Sequence, residues 1–171
     1  MRYTSAQAAK LLRQLNEEHQ LLLNEEMNKK VFLAATGEDV ESLRPEYDFT
    51  STQMKLDALE AKIRKVKHAI NIFNLTTRID GMSIDEILIY LPQLRDRKRK
   101  LAAMIDRMPK QRARSSVLSR YSGQTPIIDY EYANYDIHDA EGEYANVSDL
   151  IVLLQTKLDT VNSTQKFDIE I

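Results

Sequence analysis

Cysteine and tryptophan are absent from the 171 residues, and glycine and proline occur only four times each. Without a thiol there is no disulfide framework, no thiolate zinc or iron–sulfur site and no cysteine nucleophile. So few turn-formers, beside abundant Leu, Ala, Lys, Glu and Arg, argue against a β-sandwich and for long helices. Long apolar runs are missing too. The strongest, Leu150 to Thr156, falls far short of the roughly 20 residues that span a bilayer, so no membrane partner is expected. The opening Met1-Arg2-Tyr3-Thr4-Ser5 leads straight into an amphipathic segment with no apolar h-region, which makes the cytoplasm the expected location. Asn-x-Thr at Asn74 and Asn162 is therefore not read as a glycosylation signal.

Catalytic signatures are also lacking. There is no P-loop, G-x-G-x-x-G, G-x-S-x-G or His-Glu-x-x-His. His19, His68 and His138 form no ligand spacing of the His-x-x-x-His kind; His19, in a helix seam, reads as a histidine bonded to a carboxylate. Asp39 with Glu41, or Asp136 with Asp139, could pair as acid and base, but helix caps and solvated loops account for them equally. No catalytic, cofactor or metal residues are assigned, and a non-enzymatic protein is expected.

What is present is helical periodicity and ordinary globular composition, with 43% apolar and 29% charged residues. The first segment runs from about Thr4 to Ala35. It opens with a capping box in which Thr4 caps and Gln7 reaches back, and Gly37 is its expected stop. The second, about Thr50 to Asn74, spaces Leu56, Leu59, Ile63, Val66, Ile70 and Phe73 as a strict 3-4 seam. The third opens at a second capping box, Ser83 to Glu86, and stops at Pro109, with Pro92 predicting a kink inside it. The fourth starts near Asp136 and buries Ala140, Tyr144, Val147, Ile151, Leu154, Leu158 and Val161.

These segments repeat. A shift of 88 carries the second seam onto the fourth and Asn74-Leu75-Thr76 onto Asn162-Ser163-Thr164. A shift of 79 carries Thr4, Ala8, Leu12, Leu15 and Leu22 onto Ser83, Ile87, Leu91, Leu94 and Leu101. The expected fold is therefore mainly α: a single domain, 1–171, forming an antiparallel four-helix bundle of two duplicated long hairpins, 4–77 and 83–164. Alternating residues at about 127–132 and 167–171 predict short accessory strands, the second within a C-terminal strand 166–171. Their partners would be each other, Tyr47 to Phe49, or a second subunit.

Charge is uneven. Ten basic residues lie between Arg95 and Arg120 against two acids, while ten acids lie between Thr125 and the end against two lysines. One reading makes Lys110, Arg112, Arg114, Arg120 and Tyr121 an anion site for a nucleotide, another small anion or nucleic acid. The other lets the basic block fold against the acidic fourth helix. Leu11, Leu21, Ile72, Leu75 and Ile89 fall outside the main apolar stripes, which favours association with further copies of the chain.

The pattern resembles the septicolysin-like family of small bacterial helical proteins. The likeness rests on Ala8-Ala9-Lys10-Leu11-Leu12, the Ile70-to-Thr77 stretch with Asn74 and Thr76, the helix following Gly81, Tyr130 to Tyr135, and Leu154-Gln155-x-x-Leu158-Asp159-x-x-Asn162. The family's name implies a pore-forming cytolysin, a remote alternative here, and the resemblance carries over no catalytic residues.

Overall fold

The computed structural model describes residues 1–112 and 130–171. Among them 69% are helical, in five helices accompanied by six short strands. Helix α1 covers Ser5–Lys29. The Thr4 hydroxyl accepts the Gln7 N–H at 3.2 Å, and the Gln7 amide oxygen accepts the Thr4 N–H at 3.0 Å. The helix stops short of the expected Ala35. Beyond Lys30, Val31 and Leu33 are 71% and 93% exposed, so no buried face remains to sustain it. Gly37, with φ +97°, instead belongs to a turn in the connection. That connection also holds α2 (Val40–Leu43), one turn capped by Asp39 and too short to announce itself by periodicity.

Helix α3 spans Phe49–Thr76, with the Asp48 carboxylate accepting the Ser51 N–H at 3.0 Å. Helix α4 is Ile84–Ile105, continuous through Pro92, and α5 is Ile137–Thr164. Three antiparallel strand pairs complete the fold. Strand β1 (Arg2–Thr4) pairs with β6 (Lys166–Asp168), β2 (Arg78–Ile79) with β3 (Met82–Ser83), and β4 (Lys110–Arg112) with β5 (Tyr130–Tyr132). The strands differ from expectation on two points. The C-terminal strand ends at Asp168, with Ile169 beyond it buried as a core residue. The strand partners are segments of the same chain, none of them Tyr47 to Phe49. Of the expected strand 127–132, residues 127–129 lie outside the described set.

The chain forms two compact units, Met1–Asp85 with Leu158–Ile171, and Glu86–Lys157. In the first, α1 and α3 are antiparallel: His19 meets Glu60 and Glu26 meets Gln53, one partner advancing as the other recedes. Ala8, Leu15, Ile63 and Val66 form the core between them, and Ile169 from the chain's tail completes it. Ala8 is fully buried. Phe167 stacks on Phe73 with ring centroids 4.5 Å apart. In the second unit α4 buries Ile87, Leu91, Leu94 and Leu101, and α5 buries Ala140, Val147 and Leu154. Here the Tyr135 hydroxyl donates to the Met104 carbonyl at 2.7 Å.

The shifts read from the seams also relate the element boundaries. Moved by 88, Phe49–Thr76 becomes Ile137–Thr164, the full extent of α5. Moved by 79, Ser5 becomes Ile84, the first residue of α4. Details follow the same rule. Thr52 N–H bonds Asp48 O as Ala140 N–H bonds Asp136 O, and Thr76 Oγ1 donates to Ile72 O as Thr164 Oγ1 does to Thr160 O. The strand registers agree too, since Arg78↔Ser83 and Ile79↔Met82 map onto Lys166↔Thr4 and Phe167↔Tyr3.

Candidate functional site

Of the five residues expected to bind an anion, Lys110 and Arg112 lie on β4, while Arg114, Arg120 and Tyr121 fall outside the described residues. The structure gives Lys110 aromatic company: its ammonium lies 4.4 Å from the Tyr130 ring centroid and 5.3 Å from that of Tyr132. Other cations of the basic block are also engaged within their unit. Arg97 bonds Glu143, Arg107 bonds Glu131 at 2.6 Å, and Arg99 bonds Asp96 at 2.6 Å. Arg95 donates to Gln155 at 3.2 Å and Lys98 sits over Tyr144. Exposed ion pairs contribute about 0–1 kcal/mol each, so their interest lies in charge accounting rather than stability. Groups of the C-terminal half thus engage Arg95, Arg97, Lys98, Arg107 and Lys110, while Arg112 enters no ion pair among the described residues.

A second basic cluster is easily overlooked beside the larger block. Lys62-Ile63-Arg64-Lys65-Val66-Lys67-His68 holds four cations and a histidine with no acid. Ile63 and Val66 face the core, so the helix turns the polar residues outward on either side of the seam. On one side Glu60, Arg64, Lys67, His68 and Asn71 line a groove, with Asn16 and His19 of α1 opposite. On the other, Lys55 and Lys62 share a shallow groove with Glu18 and Glu25.

His19 Nε2 lies 3.1 Å from Glu60 Oε1, the carboxylate bond expected for a seam histidine. The pair bridges the two helices. Elsewhere, Glu141 draws the His138 pKa upward through a hydrogen bond and its charge, with further help from Asp136 and Asp139. Tyr47 donates to Glu26 at 2.7 Å, which raises the phenol's pKa because ionisation would break that bond and oppose two anions. Both groups sit at helix ends and serve local structure. Among the described residues no three His, Asp or Glu side chains converge to hold a metal ion. No described helix is long and apolar enough to cross a membrane.

No family model matches the chain, and no curated protein does either. The fold is similar to that in the crystal structure of a functionally unknown conserved protein from Corynebacterium diphtheriae, with a TM-score of 0.58. The match covers 98% of this chain and 100% of that one at 15% identity. At that identity the likeness extends to the fold alone: a mainly helical protein with short antiparallel strands.

Proposed function

We propose that this is a non-enzymatic helical assembly protein of the cytoplasm, whose two hairpins are duplicated copies in an antiparallel four-helix bundle and whose partner is itself. The shared cap and strand registers support the duplication. The observation that carries self-association is the exposed apolar surface of the first unit. Met27, Val31, Leu33, Val40, Leu43 and Phe49 all stand exposed within the end of α1, the α2 connection and the start of α3. Of the residues that fall off the main stripes in the sequence, Leu21, Ile72, Leu75 and Ile89 are exposed as well, while Leu11 packs against the core. Clustered apolar residues of this kind mark interaction surfaces more than isolated ones do. The septicolysin-like resemblance fits the same reading, as a shared helical and cap pattern without a catalytic signature.

Sedimentation velocity over the micromolar range tests this directly. Association is expected to rise with concentration and to be lost in Val31→Glu/Leu33→Glu, both exposed positions whose change leaves the helical circular dichroism intact. A chain that remains monomeric throughout that range would end the proposal.

A further inference from the structure

From the groove between α1 and α3 we infer a binding site for an oligophosphate, either a nucleotide's phosphate chain or a single-stranded nucleic-acid backbone. Three observations converge. First, Arg64, Lys67, His68 and Asn71 share one helix face and line the groove, whose one carboxylate, Glu60, is bonded to His19. Arg64 and Asn71 are separated by about 10 Å of helix rise, room for more than one phosphate group.

Second, the Arg64 and Lys67 charges are left unpaired. Arg64, Lys67 and His68 enter no ion pair among the described residues, unlike Arg97, Arg99 and Arg107 of the larger block. Glu60 stands four residues before Arg64, the usual helical spacing for an ion pair, yet it bonds His19 instead. No other carboxylate occurs on α3 from Glu60 to its end.

Third, the donors suit phosphate. Arginine offers a planar fork that two phosphate oxygens accept together, lysine a point charge, and asparagine neutral N–H donors. Asn16 and His19 supply the facing wall from α1. The alternative is a solvated helix face; what favours a ligand is that Arg64, Lys67 and Asn71 line one groove with Asn16 of the facing helix. This inference is independent of self-association.

The test is fluorescence anisotropy of a short labelled single-stranded oligonucleotide with the full-length protein at low salt, competed by tripolyphosphate and ATP. Binding is expected, weakening roughly 10–20-fold for a fourfold rise in salt if about three phosphates are contacted. Arg64→Gln/Lys67→Gln should weaken it about tenfold or more with unchanged circular dichroism, while Lys110→Gln/Arg112→Gln should leave it within about twofold. Equal competition by tripolyphosphate and ATP identifies the phosphate chain as the ligand; resistance to both identifies the polynucleotide backbone. Failure of the oligonucleotide to bind, with no rise in melting temperature on adding tripolyphosphate or ATP, overturns the inference. So does unchanged binding by the Arg64/Lys67 variant, or loss confined to the Lys110/Arg112 variant.

Discussion

At the scale of single residues, the contrast between Ile169 and Leu33 shows how sequence position misleads. Ile169 is the third residue from the end of the chain, where fraying is the usual expectation. It is nevertheless 1% exposed, packed with Ala8, Leu15, Ile63 and Val66. Its N–H donates to the Met1 carbonyl at 3.0 Å and its own carbonyl accepts from the N-terminal amine at 3.2 Å, which pins the backbone behind the side chain. Truncation would leave a cavity that two long helices cannot readily collapse. Ile169→Ala should therefore cost about 2–4 kcal/mol in urea unfolding, whereas Leu33→Ala, at 93% exposure, should fall within about 0.5 kcal/mol. Equal effects from the two would mean that the tail does not occupy the core.

At the scale of elements, Pro92 sits in the ninth position of α4, well past the first turn. There it supplies no N–H for the Leu88 carbonyl, and its ring crowds that same oxygen. The helix nevertheless runs on to Ile105, because Leu91 and Leu94 beside the proline are buried and their packing outweighs the lost bond. Pro92→Ala should restore the donor and raise unfolding stability by about 1–3 kcal/mol, measured by chemical denaturation. A neutral or destabilising result would show that the backbone has adapted to the ring.

The same element scale shows what the sequence discloses. The seams of α3 and α5 are periodic over many turns, so their existence and register are legible without coordinates. The Thr4–Gln7 capping box is legible for a similar reason, since it is a local contact between residues three apart. Strands of two or three residues are another matter. Arg2-Tyr3-Thr4 and Lys110-Gln111-Arg112 carry no alternation long enough to read, and their stability comes from distant partners. The candidate site divides along the same line. A charge block is visible in the sequence, but whether each cation has a carboxylate nearby is a tertiary fact. Arg97 and Arg107 have one across their unit, whereas Arg64 and Lys67 have none among the described residues.

At the scale of the whole molecule, the matched strand registers make a claim about connectivity. On the duplication proposed above, one junction between the two hairpins is the tight β2–β3 turn through Asp80 and Gly81, both with positive φ; the other is the β1–β6 pair of residues 2–4 with 166–168. If the junctions are equivalent, which one is covalent should matter little. A circular permutant joining Ile171 to Met1 by a short Gly/Ser linker, opened between Asp80 and Gly81, should then keep the native helix content. Opening the turn also removes the backbone strain at Asp80, with φ +51°, which partly offsets the added freedom of the new ends. Its unfolding free energy should lie within about 2 kcal/mol of the parent, because the strand pairs and the Ile169 contact all survive. Circular dichroism and urea melts decide the matter. A permutant that loses its helices would show that the Asp80–Gly81 turn does something the β1–β6 pairing cannot replace, and the two junctions would then be alike in register only.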